Sequence, residues 1–193
     1  MHEWCYKFVD LPQVPQEIID KSLKTISDNN LHEDWWWWPK SASEVDMVDN
    51  NPKQSVAFVQ YKLSEDVKDW FRENIVLSGY NAINISKTTD GEHKGAHTDK
   101  TRDYVLLYLL SLGGEKPHTV WYQEKNHSII REKKARVHDY NLLTEIDRVH
   151  VPLHRWCVLN SRIIHGVDSL TSNRIGYHIG LDESFELRGK FID

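Results

Sequence analysis

The tripeptide His97-Thr98-Asp99 carries two metal-ligating side chains one residue apart. On a strand, the side-chain period of two puts His97 and Asp99 on one face and Thr98 on the other, so one nitrogen and one oxygen can grip a single ion. A His-x-Asp pair alone reads equally as a polar turn, and a third ligand has to come from elsewhere in the chain. His165 follows an apolar strand candidate, Trp156 to Leu159, that could lie beside the first, and it is the best candidate. Two imidazoles and one carboxylate on one face of an octahedron leave three positions open. That arrangement suits non-haem Fe(II), which needs free positions for a cosubstrate and for O2.

Arg174 stands nine positions after His165 and opens the segment Arg174 to Leu181. By the same period of two, Arg174, Gly176, His178 and Gly180 share one face, while Ile175, Tyr177, Ile179 and Leu181 share the other. One face is apolar and packs; the opposite face carries an Arg, a His and two glycines that leave room. An inward-facing Arg needs an anion, because an unpaired buried charge costs several kcal/mol. Its planar fork matches a carboxylate through two parallel hydrogen bonds. A salt bridge to a protein Asp or Glu would satisfy it equally well.

His97, Asp99, His165 and Arg174, in this order, resemble the signature of the Fe(II)/2-oxoglutarate-dependent oxygenases. The similarity spans roughly residues 80 to 182. Around Trp156 and the segment 159–176 it looks most like the prolyl hydroxylase and aspartyl/asparaginyl hydroxylase-like groups. The resemblance implies a double-stranded β-helix (a jelly-roll, cupin-like fold) with the metal at one mouth. 2-Oxoglutarate would chelate the iron and its far carboxylate would meet Arg174. The run Tyr104 to Leu110 followed by Gly113-Gly114 is similar to the strand after the family's metal dyad. There Tyr108 matches a tyrosine that commonly hydrogen-bonds the cosubstrate. The implied activity is that of a dioxygenase that hydroxylates a small molecule or a protein side chain and releases succinate and CO2. In one respect the chain departs from the pattern: many members carry Arg-x-Ser, and here the third position is Gly176. Another group must then replace the hydroxyl. Two rival readings remain: a non-catalytic cupin-like binding protein, and a zinc or manganese enzyme in which Arg174 binds a substrate carboxylate directly.

Other residues carry weaker signals. Asn84, on the strand before the dyad, either donates to 2-oxoglutarate or is an ordinary ladder asparagine. A buried Tyr108 with its hydroxyl satisfied is the ordinary alternative to its cosubstrate role. His93 lies four residues before His97, but Gly91 and Gly95 disfavour the helix that would make it a ligand. His178 faces the way Arg174 faces and is either structural or near the substrate. His118, His127, His138, His150 and His154 show no convergent spacing. Arg102 either orients an anionic substrate or pairs with Asp103 or another nearby acid. Trp35 to Trp38 form a run whose members cover the barrel or wall the substrate site; four exposed indoles would be an aggregation liability.

Two helices and a set of short strands have to position these groups. In residues 15 to 27, Ile18, Ile19, Leu23 and Ile26 fall on one helical face, with Pro15 in the first turn. A second helix follows Ser64 as N-cap, with Glu65 and Asp66 in its first turn and Val67, Trp70 and Phe71 as its apolar stripe. Strands are expected at Asn81 to Ser86, Tyr104 to Leu110, Thr119 to Tyr122, Trp156 to Leu159 and Arg174 to Leu181. This predicts an α+β, mainly β, single domain over residues 1–193. Residues 1–79 would be helical support packed outside a jelly-roll core over 80–182. The segment Gln123 to Arg148, with its basic run Arg131 to Arg136, reads as a solvated loop or hairpin tip, or as a flap over the substrate.

Composition bounds the rest. The chain has 193 residues, 39% hydrophobic and 27% charged, which suits one soluble globular domain. A formal net charge of -5 argues against a nucleic-acid or anionic-lipid partner, since counterion release needs clustered positive charge. Two cysteines make no disulfide framework, and the first ten residues lack a basic region followed by an apolar run. No apolar stretch approaches the ~20 residues of a membrane helix. Together these features predict a cytoplasmic protein.

Overall fold

The two amphipathic segments are helices: α1 (Gln16–Ser27) and α2 (Glu65–Asn74). Their positions follow the spacing of apolar residues, and each puts its buried side chains on one stripe, Ile18, Ile19 and Ser22 in α1 and Val67 and Phe71 in α2. Pro15 is the N-cap of α1, one position before the expected first turn, and Leu23 lies at the surface. The computed structural model describes residues 4–28, 46–47, 58–88, 96–99, 102–125, 135–137 and 140–192. Trp35 to Trp38, His93, His127, His138 and residues 131–134 of the basic run lie outside the described residues.

The strands are β1 (Tyr6–Asp10), β2 (Asp46–Met47), β3 (Phe58–Lys62), β4 (Val76–Thr88), β5 (Ala96–His97), β6 (Tyr104–Leu112), β7 (His118–Glu124), β8 (Ala135–Val137), β9 (Leu143–Val149), β10 (Trp156–Asn160), β11 (Ile164–Asp168), β12 (Arg174–Leu187) and β13 (Lys190–Ile192). They form two sheets, ordered β13-β1-β10-β6-β12-β4-β3 and β2-β8-β5-β11-β7-β9. Every pairing given is antiparallel except the short β2–β8 contact. The protein is thus mainly β, with two helices, and its sheets pack as a β-sandwich.

The larger sheet has two differently furnished faces. Its outer face carries Tyr108, Trp156, Tyr177, Ile179 and Leu181, which form one core with Val67 and Phe71 of α2 and Ile18 and Ile19 of α1. Phe71 sits 4.8 Å from the Tyr177 ring and 6.3 Å from Trp156, centroid to centroid. The polar tips on this face are satisfied by the N-terminal segment: Trp156 Nε1 donates to Pro12 O at 2.8 Å and Tyr177 OH to Ser22 Oγ at 2.8 Å. The inner face supplies Val105, Leu107, Leu109, Cys157 and Leu159 to a second core, shared with Trp121 and Val149 of the smaller sheet. Trp121 Nε1 crosses between the sheets to donate to Asn160 O at 2.9 Å.

Two expectations need correction. Residues 1–79 are not helical support alone, because β1 lies inside the larger sheet between β13 and β10, and β3 and the start of β4 extend that sheet. The sheet also runs past residue 182, since β12 continues to Leu187 and β13 pairs with β1. The described part of Gln123 to Arg148 belongs to a hairpin whose arms are longer than expected: β9 pairs antiparallel with β7 along the edge of the smaller sheet. Among the described residues, no helix is long and apolar enough to cross a membrane.

Because Phe71 is fully buried between α2 and the sheet, Phe71→Ala is expected to lower the unfolding free energy by about 3–5 kcal/mol. A urea titration at unchanged m-value reads this directly; a loss below about 1 kcal/mol would mean that α2 is not seated on the sheet.

Candidate metal centre

Strand β5 is two residues long, and its His97 pairs directly with His165 of β11. Directly opposed residues in an antiparallel pair project to the same face with their Cβ atoms about 5 Å apart. The two imidazole centroids are accordingly 4.7 Å apart, at 42°. His165 is also opposite Trp121, a member of the core between the sheets, so both imidazoles face the interior of the sandwich. Asp99 lies just beyond β5. Its N–H donates to Ser161 O at 3.0 Å, and Ser161 N–H in turn donates to Asp103 O at 3.0 Å. These two bonds staple the chain after β5 to the β10–β11 turn. His97, Asp99 and His165 thereby offer three ligand atoms that all lie within 4.8 Å of one another. The strand expected to bring His165 in, Trp156 to Leu159, is not its neighbour: that segment is β10, in the other sheet between β1 and β6. His165 stands on a strand of its own.

Two of the three side chains, His165 and Asp99, are oriented by a second contact. His165 Nδ1 lies 2.9 Å from Ile163 O; a carbonyl only accepts, so Nδ1 carries the hydrogen and Nε2 keeps its lone pair. Burial lowers the His165 pKa, against the pull of Asp99, which favours the neutral, ligating form. Asp99 Oδ2 accepts from Arg102 Nε at 2.6 Å. Burial alone would raise the Asp99 pKa, but Arg102, His165 and His97 together outweigh it and hold the carboxyl well below the usual carboxylate range. Asp99 Oδ1 is 3.7 Å from His97 Nε2, too far for a hydrogen bond and suited to two donors of one cation. A nitrogen, nitrogen, oxygen set with an ionised carboxylate fits a divalent transition metal. Arg102, read from the sequence as orienting an anionic substrate or pairing with Asp103 or another nearby acid, pairs with a nearby acid, the carboxylate of Asp99. The carbonyls of Ile163 and Ser161 carried no sequence signal, since any residue supplies a carbonyl.

Arg174 is 6% exposed. Among the described residues no carboxylate pairs with it, and its buried Nη1 has no hydrogen-bond partner. Burial brings its pKa down to about 10, so it stays a cation at neutral pH. Its side chain lies over Gly113, where a Cβ would approach Arg174 Cβ to 2.7 Å. Directly opposite on β4 is Thr88, then Ser86 opposite Gly176 and Asn84 opposite His178, all three buried on the inner face. A Cβ at Gly176 would meet Tyr108 O at 2.8 Å and Leu109 Cδ2 at 2.9 Å. The close approach of β6 therefore leaves no space for a serine side chain at this position. His178 Nδ1 lies 2.5 Å from Ser86 Oγ. Burial first, then the charges of Arg102 and Arg174, push its pKa down to about 3, and Asp99 acts on it weakly in the other sense. One imidazole is thus within electrostatic reach of Arg174, Arg102 and the metal-ligand carboxylate together.

Tyr108 does not join them. Opposite Tyr177 on β12, it faces the helices rather than the interior, with its hydroxyl donating to Gln13 Oε1 at 2.8 Å and its ring 4.5 Å from Trp156. The expected cosubstrate contact is corrected: the residue belongs to the outer core. His118 and His150 lie at the far end of the smaller sheet, His118 Nδ1 3.7 Å from Asp168 Oδ1 and His150 Nδ1 donating to Pro117 O at 2.9 Å.

Neither a family model nor a curated protein matches the chain. Among solved structures it is similar to E. coli ycfD, with 17% sequence identity and a TM-score of 0.42 over 64% of this chain and 32% of that one. The chain spans about a third of the length of that structure.

Tyr108→Phe is expected to leave divalent-metal affinity unchanged while lowering stability by about 1 kcal/mol through the lost bond to Gln13. Isothermal titration with Mn(II) and a urea melt give the two readings; a weakened metal site with intact stability would return Tyr108 to the centre.

Proposed function

We propose that this protein is an Fe(II)- and 2-oxoglutarate-dependent dioxygenase, a hydroxylase of jelly-roll fold acting on a small molecule or a protein side chain. The observation that carries the reading is Arg174: a buried guanidinium that no carboxylate among the described residues pairs with, facing the same interior as a His-Asp-His cluster. A buried charge left unpaired is strongly destabilising, so the interior is built for an anion supplied from outside. 2-Oxoglutarate has the required shape, with a keto acid at one end to chelate a metal and a carboxylate at the other to meet the Arg174 fork.

His97, Asp99 and His165 would hold the iron. Bound there, Fe(II) supplies the activation of O2 that couples decarboxylation of 2-oxoglutarate, to succinate and CO2, with insertion of one oxygen atom into a substrate C–H bond. The protein's own residues bind, orient and shield. Arg174 fixes the far carboxylate, and Thr88, opposite it on β4, offers a hydroxyl in place of the absent serine. Asn84, buried on the same face, stands ready to donate to the cosubstrate. Leu107, Leu109 and Trp121 form an apolar wall that excludes water and strengthens each of these polar contacts.

Succinate formation from 2-oxoglutarate under air, with and without Fe(II), tests the reading without a known substrate. Wild type is expected to give slow iron-dependent turnover, and His97→Ala to abolish it. Arg174→Ala is expected to weaken 2-oxoglutarate binding by roughly 30-fold or more, the loss of a buried charged hydrogen-bond partner. No succinate from wild type, together with no binding of 2-oxoglutarate to the iron-loaded protein, would overturn it.

A further inference from the structure

Resting on that reading of the centre, the geometry points to the class of substrate: we propose that the Nη1–Nη2 edge of Arg102 is the seat of a substrate carboxylate, so that the molecule oxidised is an organic acid held beside the metal. A guanidinium carries five donors and presents two different edges to a planar anion. Arg102 spends Nε on Asp99 Oδ2. Among the described residues neither Nη1 nor Nη2 has a hydrogen-bond partner. Orienting Asp99 needs one donor; the remaining end-on fork is left over, and it matches a carboxylate in bidentate fashion.

Three further observations locate and free that edge. The Arg102 side chain is 17% exposed, which places it at the rim of the centre rather than in bulk solvent or sealed inside. Its backbone is fixed, with Arg102 O accepting from Ser161 Oγ at 3.3 Å and the next residue, Asp103, donating from its N–H to Leu181 O at 2.9 Å. Its aliphatic stem lies against Gly180: a Cβ there would reach ordinary contact with Arg102 Cδ at 3.4 Å, while the clash it would make is with Asn81 Oδ1. An anchored arginine over a glycine, with its fork open, is arranged to receive a ligand and not merely to be solvated.

Charge accounting leads to the same ligand. Arg102 and Arg174 act on one imidazole, His178; among the described residues Asp99 pairs with Arg102, and no carboxylate pairs with Arg174. A divalent metal, two guanidiniums and one carboxylate leave the centre with three uncompensated positive charges. Dianionic 2-oxoglutarate cancels two. One remains, and in a partly desolvated site it favours a monoanion and repels a cation. A free acid and an aspartyl or glutamyl side chain offer the same group, and the experiment separates them.

Phenylglyoxal labelling of the metal-free, full-length wild type, read by peptide mass spectrometry, reports on the edge itself. At equal ionic strength, about 100 mM acetate is expected to slow modification of Arg102 at least threefold relative to chloride or acetamide, the protection given by a carboxylate site with a Kd of about 50 mM or tighter. Exposed Arg155 serves as the internal reference and is expected to label at an unchanged rate. A peptide blocked at both ends and bearing one Asp gives the second arm. Protection by acetate alone assigns a free acid, and protection by both assigns a side-chain carboxylate as well. Equal labelling in acetate and chloride, equal slowing at Arg155, or an Arg102 that does not label at all would overturn the proposal. No metal or 2-oxoglutarate enters this measurement, so its failure is distinguishable from failure of the succinate assay. Protection without succinate leaves an acid-binding site that lacks the oxygenase chemistry.

Discussion

Strand β12 separates two environments that could not share one face, and the centre depends on that separation. Outward, Tyr177, Ile179 and Leu181 are packed under α1 and α2 with Phe71 and Trp156. Inward, the alternate residues are Arg174, Gly176, His178 and Gly180. Burying a cation and an imidazole between two sheets opposes folding. The outer core offsets it, because it removes several large aromatic side chains from water and leaves none of their polar tips unsatisfied: Gln13, Pro12 and Ser22 accept from Tyr108, Trp156 and Tyr177. The helices therefore contribute to the centre without touching it, by making an interior with an unpaired charge tolerable.

The ligand cluster relies on restricting what each side chain can do. His165 has one nitrogen committed to Ile163 O, and Asp99 has one oxygen committed to Arg102, so each turns a single donor atom toward the shared position. His97 is set by the pairing of a two-residue strand with β11, and Asp99 by its N–H on Ser161 O. The three ligands are held by backbone contacts from β5, β11 and the β10–β11 turn. Preorganisation of this kind reduces the ordering that a metal would otherwise have to impose on binding.

The two helices, the five expected strands and the sidedness of β12 were legible because each rests on a local period. Apolar residues recurring along 15–27 and 64–71 leave a helix little alternative, and the alternation from Arg174 to Leu181 announces its own two faces. Sidedness failed at β6. Its run Tyr104 to Leu110 is apolar on both faces, because one faces the helices and the other the second sheet, so no alternation tells which side Tyr108 takes. The register against β12, which shifts between Ile175 and Gly176, decides it. Strand β1 was missed because five residues with Lys7 and Asp10 among them carry a weak pattern, and their place is made by pairing with β10. Strand β9 was hidden for the reason edge strands often are: Glu145, Asp147 and Arg148 blunt an edge that would otherwise invite association. The residue types of the centre could be read from the chain, but the neighbour that carries His165 could not, since pairing partners are set by tertiary contacts.

The two guanidiniums of the interior differ in depth, and depth has a consequence for order. Arg174 lies at 6% exposure with its Nη1 wholly enclosed, whereas Arg102 retains 17% at the rim. On the proposed reading, an anion seated on the deeper fork leaves the shallower one as the remaining attraction for a second anion. On the proposed reading the cosubstrate therefore enters first and the substrate acid second. Reversing that order would compensate the shallower, better solvated charge before the deeper one, whose burial is the more costly. Because His178 is held neutral between these cations by burial and by their own fields, it adds no third positive charge to compete for either anion. On that reading the interior ranks its two anionic sites by exposure, one arginine on β12 and the other just before β6.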